Sequence, residues 1–217
     1  MPNRSTEDYL KTICMLQEHT ERVSTSALAA RLQVADASIT GMIKKLSRRG
    51  LVQYEPYRGV HLTPAGRKIA MKIVRRHRLW EMFLAEYLGF SWDQIHDEAE
   101  RLEHVTSDEL ERRLDRLLGC PRRDPHGDPI PSTSGRVTEH HDALLAEAVP
   151  GSVVVVARVN NAHADLLKYV SRLGIGLRTR MRVKENNAWD GSMTVTIAGR
   201  ERFISGMLAQ HIFVHTV

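Results

Sequence analysis

The chain has 217 residues, 42% of them hydrophobic, and a formal charge of +5, enough apolar material for one large or two to three small folded cores. No run approaches eighteen apolar residues, the start MPNRSTEDYLK lacks the basic-then-apolar pattern of a secretory signal, and Cys14 and Cys120 form no CxxC pair. A membrane span, an exported precursor and a disulfide framework are therefore excluded as expectations, and a cytoplasmic protein with two reduced, structural thiols is expected.

The charge is unevenly placed. Residues 1–76 hold 14 Lys+Arg against 6 Asp+Glu, residues 77–120 hold 5 against 11, and residues 121–217 hold 12 against 9. A basic stretch followed by an acidic one suggests attraction first of a polyanion and then of cations.

Ser5 and Asp8 read as a capping pair for a first helix with Leu10, Ile13, Cys14 and Gln17 on one face. Ser24 to Leu32 reads as a short second helix, followed by a turn at Gln33 to Ala35. Asp36 suits the N-cap of a third, in which Ile39, Met42, Ile43 and Leu46 form the inward stripe and Gly50 ends the run. That packing turns Ala37, Ser38, Thr40, Gly41, Lys44, Lys45 and Arg48 outward, a small, hydroxylated and basic face suited to a DNA groove and its phosphates. Leu51 to Tyr54 and Val60 to Thr63 read as a hairpin with Tyr57 and Arg58 at its tip. Three helices and a hairpin in this order predict a winged helix-turn-helix.

Thr63-Pro64 predicts the start of a long helix to about Leu88, carrying His77 and Glu81 one turn apart. Ser91 then caps a helix along FSWDQIHDEAERLEHVT. On it His96, Glu100, Glu103 and His104 share an arc of about 100° beside Ile95, Ala99 and Leu102. Carboxylates held together at a core edge demand a cation, and imidazole with carboxylate suits Mn²⁺, Fe²⁺, Co²⁺ or Zn²⁺. A metal-dependent hydrolase on this cluster would need a general base and an open cleft, yet no nucleophile motif or phosphate-cradling glycine loop is present. A winged-helix sensor of an organic ligand is the other alternative; it would keep its operator affinity after chelation.

From TEDYLKTI through GLVQYEPYRGVHLTPAGRKIA, RRHRL..E and HDEAERLEHVTSDELERRL to PHGDPIP, residues 5–131 strongly resemble the diphtheria toxin repressor and manganese transport regulator family. The resemblance implies a homodimeric, metal-activated repressor of metal-uptake genes that binds double-stranded operator DNA, with no membrane or organic ligand involved. It implies a principal site of Asp8, Glu100, Glu103 and His104 and an ancillary site of His77, Glu81 and His96. Iron-type members have Met and Cys in place of Asp8 and Glu100, so this chain follows the manganese pattern: Mn²⁺ is expected, with an Fe²⁺-responsive regulator as the alternative and other divalent metals accepted in vitro. Lys11 stands where the short manganese regulators have Glu, and Gly41 where the toxin repressor has Gln.

CPRRDPHGDPIPSTSG reads as Pro/Gly/Ser-rich linker. Beyond it, Val153 to Val156 predicts a strand and Asp165 to Leu173 a helix, and RTRMRV, SMTVTIAG and HIFVHTV predict further strands. This part resembles the SH3-like third domain of longer family members, which implies that His163 and Asp165 could join the ancillary site; His140 and His141 carry no such expectation. The expected fold is α+β overall. A winged helix-turn-helix over 1–73 and a helical metal-binding and dimerisation domain over 74–131 are followed by a linker over 132–150 and a small SH3-like barrel over 151–217.

Overall fold

A computed structural model describes residues 4–18, 20–138, 142–160 and 164–217; His140, His141 and His163 lie outside the described residues. The chain forms two compact units, one of residues 1–77, 100–112 and 131–137, the other of residues 78–99, 113–130 and 138–217.

The first unit opens with α1 (Arg4–Leu16), α2 (Thr25–Leu32) and α3 (Asp36–Arg48). Leu10, Ile13, Leu28, Ile39, Ile43 and Leu46 are fully buried against one another, as the helical spacing predicts. Ser24 caps α2 by accepting from the Ala27 N–H, and Gln33 ends it in the left-handed region at φ 55°. Two expected caps are displaced. α1 already includes Ser5, and the N-cap of α3 is Ala35, whose methyl group cannot accept a hydrogen bond; Asp36 instead sits in the first turn, where its charge faces the positive end of the helix dipole.

Strands β1 (Val52–Glu55) and β2 (Gly59–Leu62) form the hairpin, paired from Val52↔Leu62 to Glu55↔Gly59. Val23 joins its edge through two 2.9 Å backbone bonds with Val60. Gly59, at φ 96°, leaves no room for a side chain, since a Cβ there would stand 2.6 Å from the Val23 carbonyl oxygen.

Helix α4 (Pro64–Glu86) begins as the sequence predicts: Thr63 Oγ1 accepts from the Gly66 N–H and donates to the Gly50 carbonyl. Gly66 packs against Leu51, just before β1, where a Cβ would meet the Leu51 carbonyl oxygen at 2.0 Å. Gly66→Ala is therefore expected to destabilise the unit by about 1–3 kcal/mol despite the better helix propensity of alanine. A thermal melt with an unchanged or raised midpoint would refute that packing. Arg75 and Arg76 of α4 hold Glu111 of α6 (Asp108–Leu117) at 3.1 and 2.9 Å, all three buried.

α5 is Ile95–Leu102, shorter than the sequence suggests. It stops because Thr106 Oγ1 and the Val105 N–H both bond to the Leu102 carbonyl, turning residues 103–105 off the helix axis.

In the second unit, Leu79, Met82, Leu114 and Ile130 pack as one small core. The rest is a six-stranded antiparallel sheet of β3 (Ala143–Leu144), β4 (Val153–Val159), β5 (Arg180–Asn186), β6 (Met193–Ile197), β7 (Arg200–Ile204) and β8 (Ile212–Thr216), in the order β3-β8-β4-β5-β6-β7. It packs with α7 (Ala164–Arg172) and α8 (Gly206–Ala209) over Leu145, Val156, Leu167, Val170, Met181 and Val195, and is the SH3-like part expected. Residues 132–150, read as linker, supply β3 and a 3₁₀ turn at Leu145–Glu147 that buries Leu145. Sequence reading missed β7, whose RERFI buries only Ile204; its pairing is set by the two-residue turn Ala198-Gly199, both at positive φ. Among the described residues no helix is long and apolar enough to cross a membrane. Among the described residues Cys14 and Cys120 form no disulfide; Cys14 is buried and Cys120 exposed rather than packed.

Candidate metal centre and DNA-facing helix

Asp8 leaves α1 on the side of the residues that end α5, and with Glu100, Glu103 and His104 it brings four donor atoms within 4.8 Å of one another. Glu103 and His104 lie in the turn that follows Leu102. His104 Nε2 is 2.8 Å from Asp8 Oδ1 and 3.4 Å from Glu103 Oε1, while its Nδ1 is 2.8 Å from Glu7 Oε2. With Nδ1–H donating to Glu7, the Nε2 lone pair is directed at the carboxylates, the arrangement of an oriented metal-ligating imidazole. That nitrogen is buried, and its contact with Asp8 lacks the geometry of a hydrogen bond. Such an atom among three carboxylates fits a divalent cation bound by hard oxygens and one imidazole. Burial disfavours the charged ring, but the adjacent carboxylates of Asp8 and Glu7 and the charge of Glu103 outweigh it and raise the His104 pKa above 6.5.

Lys11 closes the other side. Its ammonium lies 2.6 Å from Glu100 Oε1, 2.8 and 3.0 Å from the two Glu103 oxygens, and 3.2 Å from His77 Nδ1. His77 Nδ1 is in turn 2.6 Å from Glu103 Oε2.

The second unit holds another group, Glu81, Asp124 and His126, all buried and within the same 4.8 Å limit. Asp124 Oδ1 accepts from the backbone N–H of His126 and Asp128, and its other oxygen is 3.5 Å from Arg78 Nε. Neither ring nitrogen of His126 makes a hydrogen bond of good geometry. Burial lowers the pKa of His126 against the pull of Glu81 and Asp128, which favours the neutral ligand form. Burial, reinforced by Asp128 and Glu81 and opposed by Arg78, raises that of Asp124 well above its ordinary 3.8. Gly127 lets this loop lie against β4, for a Cβ there would come 2.2 Å from the Ala157 carbonyl oxygen. The His126 carbonyl accepts from the Val159 N–H.

On α3, Ala37, Ser38, Gly41, Lys44, Lys45 and Arg48 are exposed and Thr40 half-buried. Tyr57 and Arg58 are exposed at the hairpin tip. Gly41, Lys44, Ser47, Arg48 and Tyr54 line one groove.

Residues 1–60 match the model of the iron dependent repressor N-terminal DNA binding domain, residues 63–132 that of the iron dependent repressor metal binding and dimerisation domain, and residues 143–216 the FeoA domain. The chain is 33% identical over 209 residues to the iron-dependent repressor IdeR of Mycobacterium tuberculosis, covering 91% of this chain and 90% of that protein. The chain belongs to the diphtheria toxin repressor family. Its members are metal-dependent transcriptional repressors. The diphtheria toxin repressor of Corynebacterium diphtheriae itself is 38% identical over 153 residues, 70% of this chain and 66% of that protein. Among solved family structures, a manganese-dependent transcriptional repressor in complex with manganese is 41% identical, with a TM-score of 0.90 over 98% of this chain and 100% of that one. The manganese regulator SloR is 32% identical, with a TM-score of 0.80 over 100% of both chains.

Against the family pattern the principal quartet is gathered as a set. His77 belongs to the first unit and faces Glu103 and Lys11, while Glu81 and His96 belong to the second, 3.4 Å apart. Glu81 is grouped there with Asp124 and His126. Asp165 is 99% exposed beside Lys168. Three residues went unread in the sequence. Glu7 was hidden by its neighbour Asp8, and Asp124 and His126 by the Pro/Gly content of DPHGDP; the signal was an aspartate and a histidine inside a turn-rich stretch.

Proposed function

We propose that this chain is a cytoplasmic, manganese-responsive repressor that binds operator DNA as a homodimer and controls metal-uptake genes. The observation that carries the reading is the sulfur-free donor set of Asp8, Glu100, Glu103 and His104, in which a buried imidazole nitrogen meets the carboxylates without a hydrogen bond of good geometry. Three carboxylates favour an oxygen-loving ion, and no thiol or thioether is present to favour a softer one. These four residues would hold the ion, which supplies positive charge that relieves the carboxylates and links α1 to the end of α5. Asp8 is on the helix that packs beneath α2 and α3, so fixing it restricts the winged helix, taken here as residues 1–73. Glu81, Asp124 and His126 are proposed as a second metal site, in which His126 and Asp124 extend the metal-binding stretch of 74–131 onto β4 of the C-terminal domain at 151–217, beyond the connection at 132–150. Tyr87, Leu88, Phe90 and Leu117 expose an apolar surface at the ends of α4 and α6 suited to a second copy.

The test is anaerobic operator binding titrated with Mn²⁺ and Fe²⁺, for the native chain and for Asp8→Met with Glu100→Cys. Native activation at lower free Mn²⁺, shifted toward Fe²⁺ by the double substitution, is expected; activation by Fe²⁺ alone at cell-like concentrations would overturn the manganese reading. Lys44→Ala and Arg48→Ala are expected to weaken operator and random-sequence DNA alike and to reduce the salt slope by about 1 each. A native slope in either variant would remove α3 from the DNA interface.

A further inference from the structure

We propose that Lys11 is a tethered cation that limits the metal centre of the first unit to a single ion, an inference resting on the metal reading above. Lys11 is 5% exposed, and a lysine taken out of water is tolerated only where its charge and donors are matched. Its ammonium meets Glu100 Oε1 at 2.6 Å, Glu103 at 2.8 and 3.0 Å and His77 Nδ1 at 3.2 Å. Two carboxylates and an imidazole around one point are themselves a divalent-cation environment, and the chain fills that point with its own ammonium.

Formal charge points the same way. Asp8, Glu100 and Glu103 bring three negative charges and Lys11 one positive, leaving two for one divalent ion to neutralise. Glu103 is the shared wall, 3.4 Å from His104 Nε2 on one side and within hydrogen-bond distance of Lys11 on the other. An ion beyond the first would have to take the place of the ammonium, which the side chain of α1 holds there. Occupancy of this centre is then a single-site process without cooperativity between neighbouring ions, and the field of Lys11 raises the metal concentration at which it fills.

The full-length chain carrying His126→Ala, which removes a ligand of the second group, isolates this centre. Equilibrium dialysis with Mn²⁺ is expected to give one ion per chain and the electron paramagnetic resonance pattern of isolated Mn²⁺. Lys11→Met keeps the length and removes the charge. It is expected to give two ions per chain, a spin-coupled spectrum, and a first ion bound at least about tenfold more tightly. Lys11→Gln should behave likewise and guards against a folding defect in the Met variant, whereas Lys11→Arg should stay at one uncoupled ion. One uncoupled ion at unchanged affinity in both neutral variants, or two ions in the chain that keeps Lys11, would overturn the proposal. Absence of Mn²⁺ from the chain and from every variant would overturn the metal reading, and this proposal with it.

Discussion

His104→Ala is expected to abolish metal-dependent operator binding, raising the half-maximal Mn²⁺ concentration by more than about 100-fold while leaving the helical content intact. The imidazole is the one nitrogen ligand in the quartet, and its Nε2 is buried among the carboxylates without a hydrogen bond of good geometry. Alanine would also leave Asp8 and Glu103 facing each other without a neutral ligand between them. Glu7 touches only the far nitrogen, at 2.8 Å, so Glu7→Gln keeps the ligand but loosens its orientation and should cost about 10–100-fold. Asp165→Ala, at an exposed position, should change nothing. The order of these three effects separates ligand, orienting residue and bystander. Retention of native metal response by His104→Ala, or a larger loss in Glu7→Gln than in His104→Ala, would remove His104 from the centre. Calorimetric Mn²⁺ titration beside operator binding distinguishes lost metal affinity from damaged DNA contact.

How far the sequence reached depended on which physical signal each element uses. Helical stripes such as Ile39, Ile43 and Leu46 declare themselves by spacing, because one face must meet the core. The start of α4 is equally legible, since Thr63 and Pro64 each act within one turn. Where the donor groups gather depends on contacts far apart in the chain. The helical wheel put Glu103 and His104 on the face of Glu100, and the quartet does converge, but its fourth member, Asp8, comes from α1, which the wheel does not contain. The loop of Asp124 and His126 was read as linker because Pro and Gly mark turns whether buried or exposed. Its burial comes from Gly127 lying against Ala157 and from Val159 bonding the His126 carbonyl, neither of which is a local pattern. Glu81 was singled out by its spacing from His77, yet its neighbours in the group are distant in sequence.

Metal affinity at the principal centre is expected to rise steeply with pH, and the stability of the metal-free chain to respond in the opposite sense. The His104 pKa is raised: burial opposes the charged ring, but Asp8, Glu7 and Glu103 more than compensate. A raised histidine pKa adds stability that is fully present below the unfolded value of 6.5 and is lost as pH rises through the folded value. Metal requires the neutral ring, so below the folded pKa each ion bound at this residue must expel a proton, and affinity should fall about tenfold per pH unit there and level off above it. The buried Asp124, whose own pKa is raised, would add a second proton from the other group, so the measurement belongs in the His126→Ala chain. Mn²⁺ titrations in buffers of different ionisation enthalpy should count about one proton released on the acid side of the transition and none well above it. Glu7→Gln removes one of the carboxylates that hold the ring protonated and should move the whole transition to lower pH. An affinity that stays flat between pH 6 and pH 8, or a transition that Glu7→Gln moves upward, would show that His104 is not the proton-linked ligand.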